Sequence, residues 1–301
     1  MTEAPEPAPV TVVIPTYNHA RFLGEAIDSV LAQTARPAEI IVVDDGSTDR
    51  PDEVVARYPA IRLIRHENSG LAAARNTGWR ASSQPFVTFL DADDWLRPRA
   101  LEVGLSQLER HPSAAFNYAA YANVYWPSGR VSPVPFRPVP EGAFAAFLRV
   151  NPIGMHGTVL YRRDCIEAVG GFAEELAASE DYELYLRLAM RYPVTCCAEP
   201  IADYRQHESN MSGNQAFMLR AVLRVTRRYQ REARARGLLK DYVTSVRDWK
   251  SWYVDNWTRD IGQNGVDLGA VRQGVSLLWQ APRAMISKVA GGISRRVRRE
   301  A

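Results

Sequence analysis

The chain has 301 residues, 46% apolar and 24% charged, a size and balance that fit one large globular domain or two small ones. No apolar run reaches the ~18 residues that a membrane-spanning helix needs, MTEAPEPAPV lacks the pattern of a secretory signal, and Cys165, Cys196 and Cys197 offer neither an even disulfide framework nor a CxxC metal spacing. Net charge is +3, but residues 1–208 carry 19 Lys+Arg against 27 Asp+Glu and residues 209–301 carry 18 against 7, an acidic body with a basic tail. A reducing, cytoplasmic setting is the expectation.

Residues 1–9 read as a disordered, Pro-rich leader. VTVVIP (Val10 to Pro15) predicts a buried strand. Phe22, Ala26, Ile27, Val30 and Leu31 form a helical stripe in Ala20–Gln33. Ile40–Val43 predicts a second strand running into Asp44-Asp45-Gly46-Ser47, followed by a short helix within Asp49–Tyr58. Ile61–Ile64 reads as a third strand, Gly70–Ala81 as an Ala-rich helix, and Phe86–Leu90 as a fourth strand running into Asp91-Ala92-Asp93-Asp94. A helix follows over Pro98–Arg110. This alternation predicts an α/β fold with a mainly parallel sheet. Its polar residues gather at the C-terminal ends of strands, where open α/β sheets bind ligands. Aromatic- and Pro-rich segments over Ala114–Val139 read as antiparallel strands and loops. Strands are predicted at Thr158–Tyr161 and Pro200–Arg205, with a helix over Glu180–Arg191 between them. Beyond Gln215 the pattern is helical, broken at Gly237 and 262–269.

FLDADDW carries the strongest chemical signal. Three carboxylates within four residues at a strand end repel one another, and a divalent cation such as Mg²⁺ or Mn²⁺ resolves that repulsion with hard oxygen ligands. The plainer reading is a turn and helix cap. IIVVDDGSTD places Asp44 and Asp45 where a carboxylate can accept from a ribose or base edge; capping the next helix is again the alternative. Pro15, Thr16, Tyr17 and Asn18 end the first strand and can face a nucleoside. Neither GxxxxGK[ST] nor GxGxxG nor GxSxG occurs, which disfavours P-loop NTPases, dinucleotide oxidoreductases and serine hydrolases.

VVIPTYNHARFLGEAIDSVLAQT, EIIVVDDGSTD, NSGLAAARNTGWRAS and PFVTFLDADDW, in this order, resemble the N-terminal half of the family 2 glycosyltransferases, and GGF, SEDYELYLRL and YRQHESNMS extend the resemblance to about residue 212. The resemblance implies a GT-A fold, a single Rossmann-like, mostly parallel sheet flanked by helices. It divides into a nucleotide-binding half (10–110) and an acceptor half (111–212), with a C-terminal helical extension (213–301). It also implies an inverting, metal-dependent transfer of a sugar from a nucleoside diphosphate donor of UDP, GDP or dTDP type to a hydroxyl of a glycan or lipid-linked glycan. Carried over residue by residue, it assigns Pro15, Thr16, Tyr17, Asn18, Asp44, Asp45, Asn68, Arg75, Asp91 and Ala92 to the nucleotide-sugar. Asp93, Asp91 and His207 go to the Mn²⁺ or Mg²⁺ ion. Asp181 is the base, with Glu180 tuning it. Trp95, His156 and Gly171 fall on the acceptor side. Arg75 and Arg205, with Ser209 and Ser212, are candidate phosphate contacts; for Arg75 a solvated helix charge is the alternative. Asp94 is expected to cap the following helix.

Two rivals stand beside this reading. A sugar-phosphate nucleotidyltransferase would need a Gly/Lys/Arg-rich first loop, where this chain has PTYNHARFLG. A non-catalytic assembly module would be expected to have lost its acids, and these are intact. In the tail, Met285, Ile286, Val289, Ile293 and Val297 share one side of a helical wheel among arginines, although Gly291-Gly292 weaken the helix. Attachment to an anionic inner leaflet and packing on the core or on a second subunit, as in a homodimer, are both open. No nucleic-acid motif accompanies the charge.

Overall fold

The β-branched run of strand β1 (Ala8–Thr16) is buried on both faces, as expected of the central strand in a parallel sheet. It begins two residues inside the stretch read as leader. The computed structural model describes residues 6–139, 142–208 and 210–288. β1 pairs in parallel with β2 (Pro37–Asp44) on one side and β4 (Phe86–Phe89) on the other, and β2 pairs in parallel with β3 (Arg62–Arg65). Helices α1 (Ala20–Leu31), α2 (Pro51–Val55) and α3 (Leu71–Ala81) make the crossovers.

Alternation along β1 sends Val10, Val12 and Ile14 into one core layer with Leu23, Ala26, Ile27 and Val30 of α1 and Leu101 and Leu108 of α4 (Ala100–Arg110). Each such large aliphatic side chain contributes about 1.5–3 kcal/mol on burial. On the opposite face Val13 meets α3 at Gly78, where an added Cβ would lie 2.2 Å from the valine Cγ1. Only glycine lets that helix approach so closely.

Beyond β4 the sheet becomes mixed. Its order is β3-β2-β1-β4-β8-β6-β9-β5, with β7 (Arg130–Pro133) hairpinned onto β6 (Phe116–Tyr125). β8 (Val159–Arg162) runs antiparallel to both neighbours. The twelve-residue β9 (Thr195–Gln206) lies parallel to β6 and pairs with the two-residue β5 (Trp95–Leu96). Three short helices, α5 (Ala143–Arg149), α6 (Arg163–Val169) and α7 (Glu180–Ala189), complete this half.

Contacts divide the chain into two compact units, Met1–Phe147 with Asn151–His207 and Leu148–Val150 with Glu208–Ala301. The second unit is helical: α8 (Gln215–Arg228), α9 (Gln230–Ala235), α10 (Leu239–Asn264) and α11 (Leu268–Gln280), with helix again over 282–288. Asn214 caps α8 by accepting from Phe217 N (3.1 Å), and Asp267 caps α11 by accepting from Ala270 N (2.6 Å). Leu219, Val222, Leu223, Tyr253, Val254 and Leu277 are buried within the unit. Val289, Ile293 and Val297 of the wheel lie outside the described residues.

Candidate active site

The loops that end β1 and β2 are tied together by side chains. Asn18 adopts a left-handed backbone (φ 56°), its amide N donates to Ser47 Oγ (2.9 Å), and its Oδ1 accepts from Thr48 N (2.9 Å). Asp44 is fully buried and accepts from Ser47 N (2.8 Å), with Arg65 Nε at 3.2 Å. Asp45 accepts from Ser69 N (2.7 Å) and Gly70 N (3.0 Å), so its carboxylate is held by the two backbone amides that lead into α3. Gly46 permits this fold-back: its φ is +79°, and a Cβ there would lie 2.8 Å from Asn68 N. Pro15 and Thr16 are buried, whereas Tyr17, Asn18 and Asn68 face solvent. The Thr16 hydroxyl is buried without a hydrogen-bond partner.

Arg75 holds the centre. It is buried on α3, and its guanidinium donates to Asp91 Oδ1 (2.7 Å) at the end of β4 and to Glu180 Oε1 at the start of α7. A helix therefore carries the cation that brings together two acid clusters 89 residues apart. A phosphate contact does not match this placement, since the fork is already engaged by carboxylates, and burial rules out a solvated helix charge as well. Burial pushes the Glu180 carboxyl upward, opposed by Arg75 and reinforced by Asp181. Asp181, half-buried, is also pushed up by burial, with Arg75 and the Tyr182 amide (2.7 Å from Oδ1) pulling the other way. Ser179, immediately before the pair, has φ +60°, a strained conformation for a non-glycine residue.

The acid loop is fixed from the other side by β9. Arg205 N donates to Asp94 Oδ1 (2.8 Å), and its Nε donates to the Asp93 carbonyl (2.7 Å). Its guanidinium lies over Phe22, Trp95 and Trp126, with centroid distances of 4.5, 4.7 and 5.4 Å. Arg205 is thus a buried brace rather than a phosphate contact, and Asp94 anchors β9 instead of capping α4. Ser209 lies outside the described residues, and Ser212 belongs to the helical unit. His207 Nε2 lies 3.0 Å from Asp93 Oδ2, and His19 Nδ1 lies 3.8 Å from the same oxygen.

Three acceptor-side candidates fall differently. Trp95 pairs through its backbone with Asp203 and stacks under Arg205. His156 is buried among Phe89, Tyr161, Phe172 and Tyr185, with Nε2 2.9 Å from the Tyr161 hydroxyl; burial and Arg75 hold it well below the usual imidazole range. It is a neutral core histidine, not a wall of an open cleft. Gly171 has φ +78°, and a Cβ there would meet Asn76 Oδ1 at 2.5 Å. Asn76 bridges that loop to α3, accepting from Phe172 N (2.8 Å) and donating to the Phe172 carbonyl (2.9 Å). Asn76 and His19 escaped the sequence reading. His19 directly follows the polar end of β1, and that position was the one available signal.

Among the described residues no three His, Cys, Asp or Glu side chains are arranged as a metal-binding group. The donor chemistry nevertheless fits a divalent cation. Asp93 and His207 converge as a carboxylate–imidazole pair beside Asp91, a set suited to Mn²⁺ when a diphosphate supplies further oxygens.

Residues 11–170 match the model of the family described as "Glycosyl transferase family 2". The glycosyltransferase GlyA of Streptococcus pneumoniae is 37% identical over 118 residues, 37% of this chain and 17% of that protein. The chondroitin synthase of Escherichia coli is 28% identical over 184 residues, 60% of this chain and 26% of that protein. The chain thus spans about a quarter or less of the length of these two relatives. Among solved structures, TarS 1-349 of S. aureus superposes with TM-score 0.62 at 18% identity, covering 92% of this chain and 82% of TarS 1-349; the same fragment has also been solved with UDP-GlcNAc. A mannosyltransferase of Pyrobaculum calidifontis in complex with GDP-Man and Mn²⁺ superposes with TM-score 0.59 at 21% identity, covering 97% of this chain and 90% of that one. These two likenesses concern the fold, which is of GT-A type.

Proposed function

We propose, from the premise that this chain belongs to glycosyltransferase family 2, that it transfers a sugar from a nucleoside diphosphate donor to a hydroxyl acceptor with inversion at the anomeric carbon. The observation that carries the reading is the double engagement of Arg75, which sets Asp91 and the Glu180–Asp181 pair around one guanidinium. A donor-side acid and a candidate base are thereby held at a fixed spacing, as a single in-line displacement requires.

In this reading the nucleoside lies over the ends of β1 and β2, near Thr16, Tyr17, Asn18 and Asp45, with Asn68 on the facing loop. Asp91 and Ala92 lie beside the sugar and diphosphate. Asp93 and His207 hold a divalent cation, which when bound would stabilise negative charge on the departing diphosphate. Asp181 accepts the acceptor hydroxyl's proton as that oxygen attacks, and Glu180 with Arg75 keeps Asp181 in place. The nucleoside diphosphate sugars bound by the structural neighbours support a donor of this class. The polysaccharide synthase among the relatives supports a glycan acceptor in cell-surface polymer or glycolipid assembly. Chemistry is assigned to residues 10–212, with 213–301 as an extension, in a protein working on the cytoplasmic side of a membrane. No helix among the described residues is long and apolar enough to cross a bilayer.

The test is a panel of nucleotide sugars assayed with Mn²⁺ for transfer and for donor binding. Asp181→Asn is expected to lower transfer by ~10²–10⁴-fold with donor affinity unchanged. Near-parental turnover in that variant would remove Asp181 as the base.

A further inference from the structure

Helix α11 is apolar on both of its sides. Inward, Gly274 and Leu277 are buried, with Ala281 and Met285 continuing that side past the helix end. Trp257 lies against Gly274 and donates from Nε1 to the Ala270 carbonyl (3.0 Å). Outward, Leu268, Val271, Val275, Leu278 and Trp279 form a second stripe at helical spacing, and Ile286 is exposed in the helical stretch that follows. Leu268 is 80% exposed and Trp279 84%. The polar residues of the helix, Arg272, Gln273, Ser276 and Gln280, cover only part of its surface, and single exposed apolar residues are common while a continuous stripe is not.

Charge selects the occupant. Between Leu268 and Arg299 the sequence holds seven Arg and Lys and no Asp or Glu. Arg272 and Arg283 stand exposed beside the stripe, and Lys288 pairs with Asp255. A second copy of the chain would bring the same positive charge against itself. An anionic lipid surface accepts both the apolar stripe and the cations around it, and a tryptophan with an apolar body and a polar N–H suits headgroup depth.

We infer that the outward face of α11 is a membrane-interface surface, seated on an anionic bilayer through Leu278 and Trp279 at its centre, with the flanking arginines supplying the electrostatic attraction. This moves the candidate surface from the tail to a helix with an ordered inner face. Donor chemistry plays no part in it.

The experiment floats the full chain with phosphatidylcholine vesicles, with and without phosphatidylglycerol, at low and high salt. The protein is expected to float with the anionic vesicles and to dissociate as salt screens the attraction. Leu278→Glu and Trp279→Glu are each expected to lower the partition coefficient at least ~10-fold while leaving the thermal melt unchanged, because both side chains already face solvent. No flotation with anionic vesicles at low salt would overturn the inference, as would parental binding by both variants. Sedimentation that revealed a dimer dispersed by Trp279→Glu, without vesicle binding, would assign the face to a second copy instead.

Discussion

Replacing Arg75 with Gln removes one charge that two acids share. Asp91 and Glu180 would remain where they are, and Glu180 would be fully buried with no cation beside it. Breaking a buried ion pair from one side costs about 3–5 kcal/mol. For a chain of this size that lowers the melting temperature by roughly 6–20 °C. The loss is expected to depend on pH. Burial already raises the folded-state pKa of Glu180 above its unfolded value of about 4.3, and without Arg75 it rises further. Between those two values the folded state binds more protons than the unfolded state, so the variant's stability falls as pH rises through the window and returns as pH is lowered. Urea titrations of parent and variant from pH 5 to pH 8 would measure the difference. The double variant Arg75→Gln/Glu180→Gln is expected to recover part of the loss, because the buried Glu180 carboxylate is then no longer left without its cation. A single-variant loss below about 1 kcal/mol, or one that does not change across this pH range, would refute the claim that Arg75 holds the two clusters together.

Asp93→Ala is expected to abolish the extra thermal stabilisation that Mn²⁺ adds to a nucleoside diphosphate, and His207→Ala to weaken it; donor-dependent melts insensitive to both would move the cation elsewhere. The acid limb of kcat/KM for transfer is expected above the ordinary aspartate value of about 3.9, because burial raises Asp181 and the base works only when deprotonated. Arg75 opposes that rise, so Arg75→Gln is expected to shift the limb further toward neutral pH, and a limb at or below pH 4 in the parent would count against Asp181. Gly78→Ala places a methyl against Val13 at the α3–β1 contact and is expected to cost about 1–3 kcal/mol in a denaturant titration; an unchanged midpoint would mean that α3 can move away freely.

The first half of the fold was legible because its strands are continuous apolar runs that stop at acids. VTVVIP, IIVV and FVTF each needed only neighbouring residues to be recognised, and the parallel pairing of β1 with β2 and β4 followed from the alternation with helices. The acids of the site were legible for the same reason, being strand-end polar clusters after buried runs. What opposes those acids was not. Arg75 sits in an Ala-rich helix that reads as a plain surface element, and only the tertiary fold carries it to Glu180, 105 residues away. Arg205 and Asp94 meet across 111 residues, and no local pattern tells a buried brace from a phosphate contact. The resemblance puts His156 on the acceptor side, yet four aromatic rings surround it, and none of them is near it in a readable local pattern except Tyr161. The two-residue β5 had no periodicity to read.

The distances along the chain at which this site closes also bear on how it forms. β1, β2 and β3 pair in succession across short crossovers, and β4 joins β1 across 76 residues, from Val10 to Phe86, so that half orders through contacts of shorter separation. The contacts that seat the acids are of another kind: Arg75 reaches Glu180 across 105 residues, Arg205 reaches Asp94 across 111 and Glu25 across 180, and His207 reaches Asp93 across 114. Closing such long loops carries an entropy cost that must be met before the contacts give any return, which places them late in refolding. Until β9 arrives, the Asp91, Asp93 and Asp94 carboxylates stand together in water without Arg205 or His207 beside them. A newly made chain therefore gains its nucleotide-side scaffold first and its ordered acid cluster last, so the recovery of secondary structure should run ahead of the recovery of donor binding.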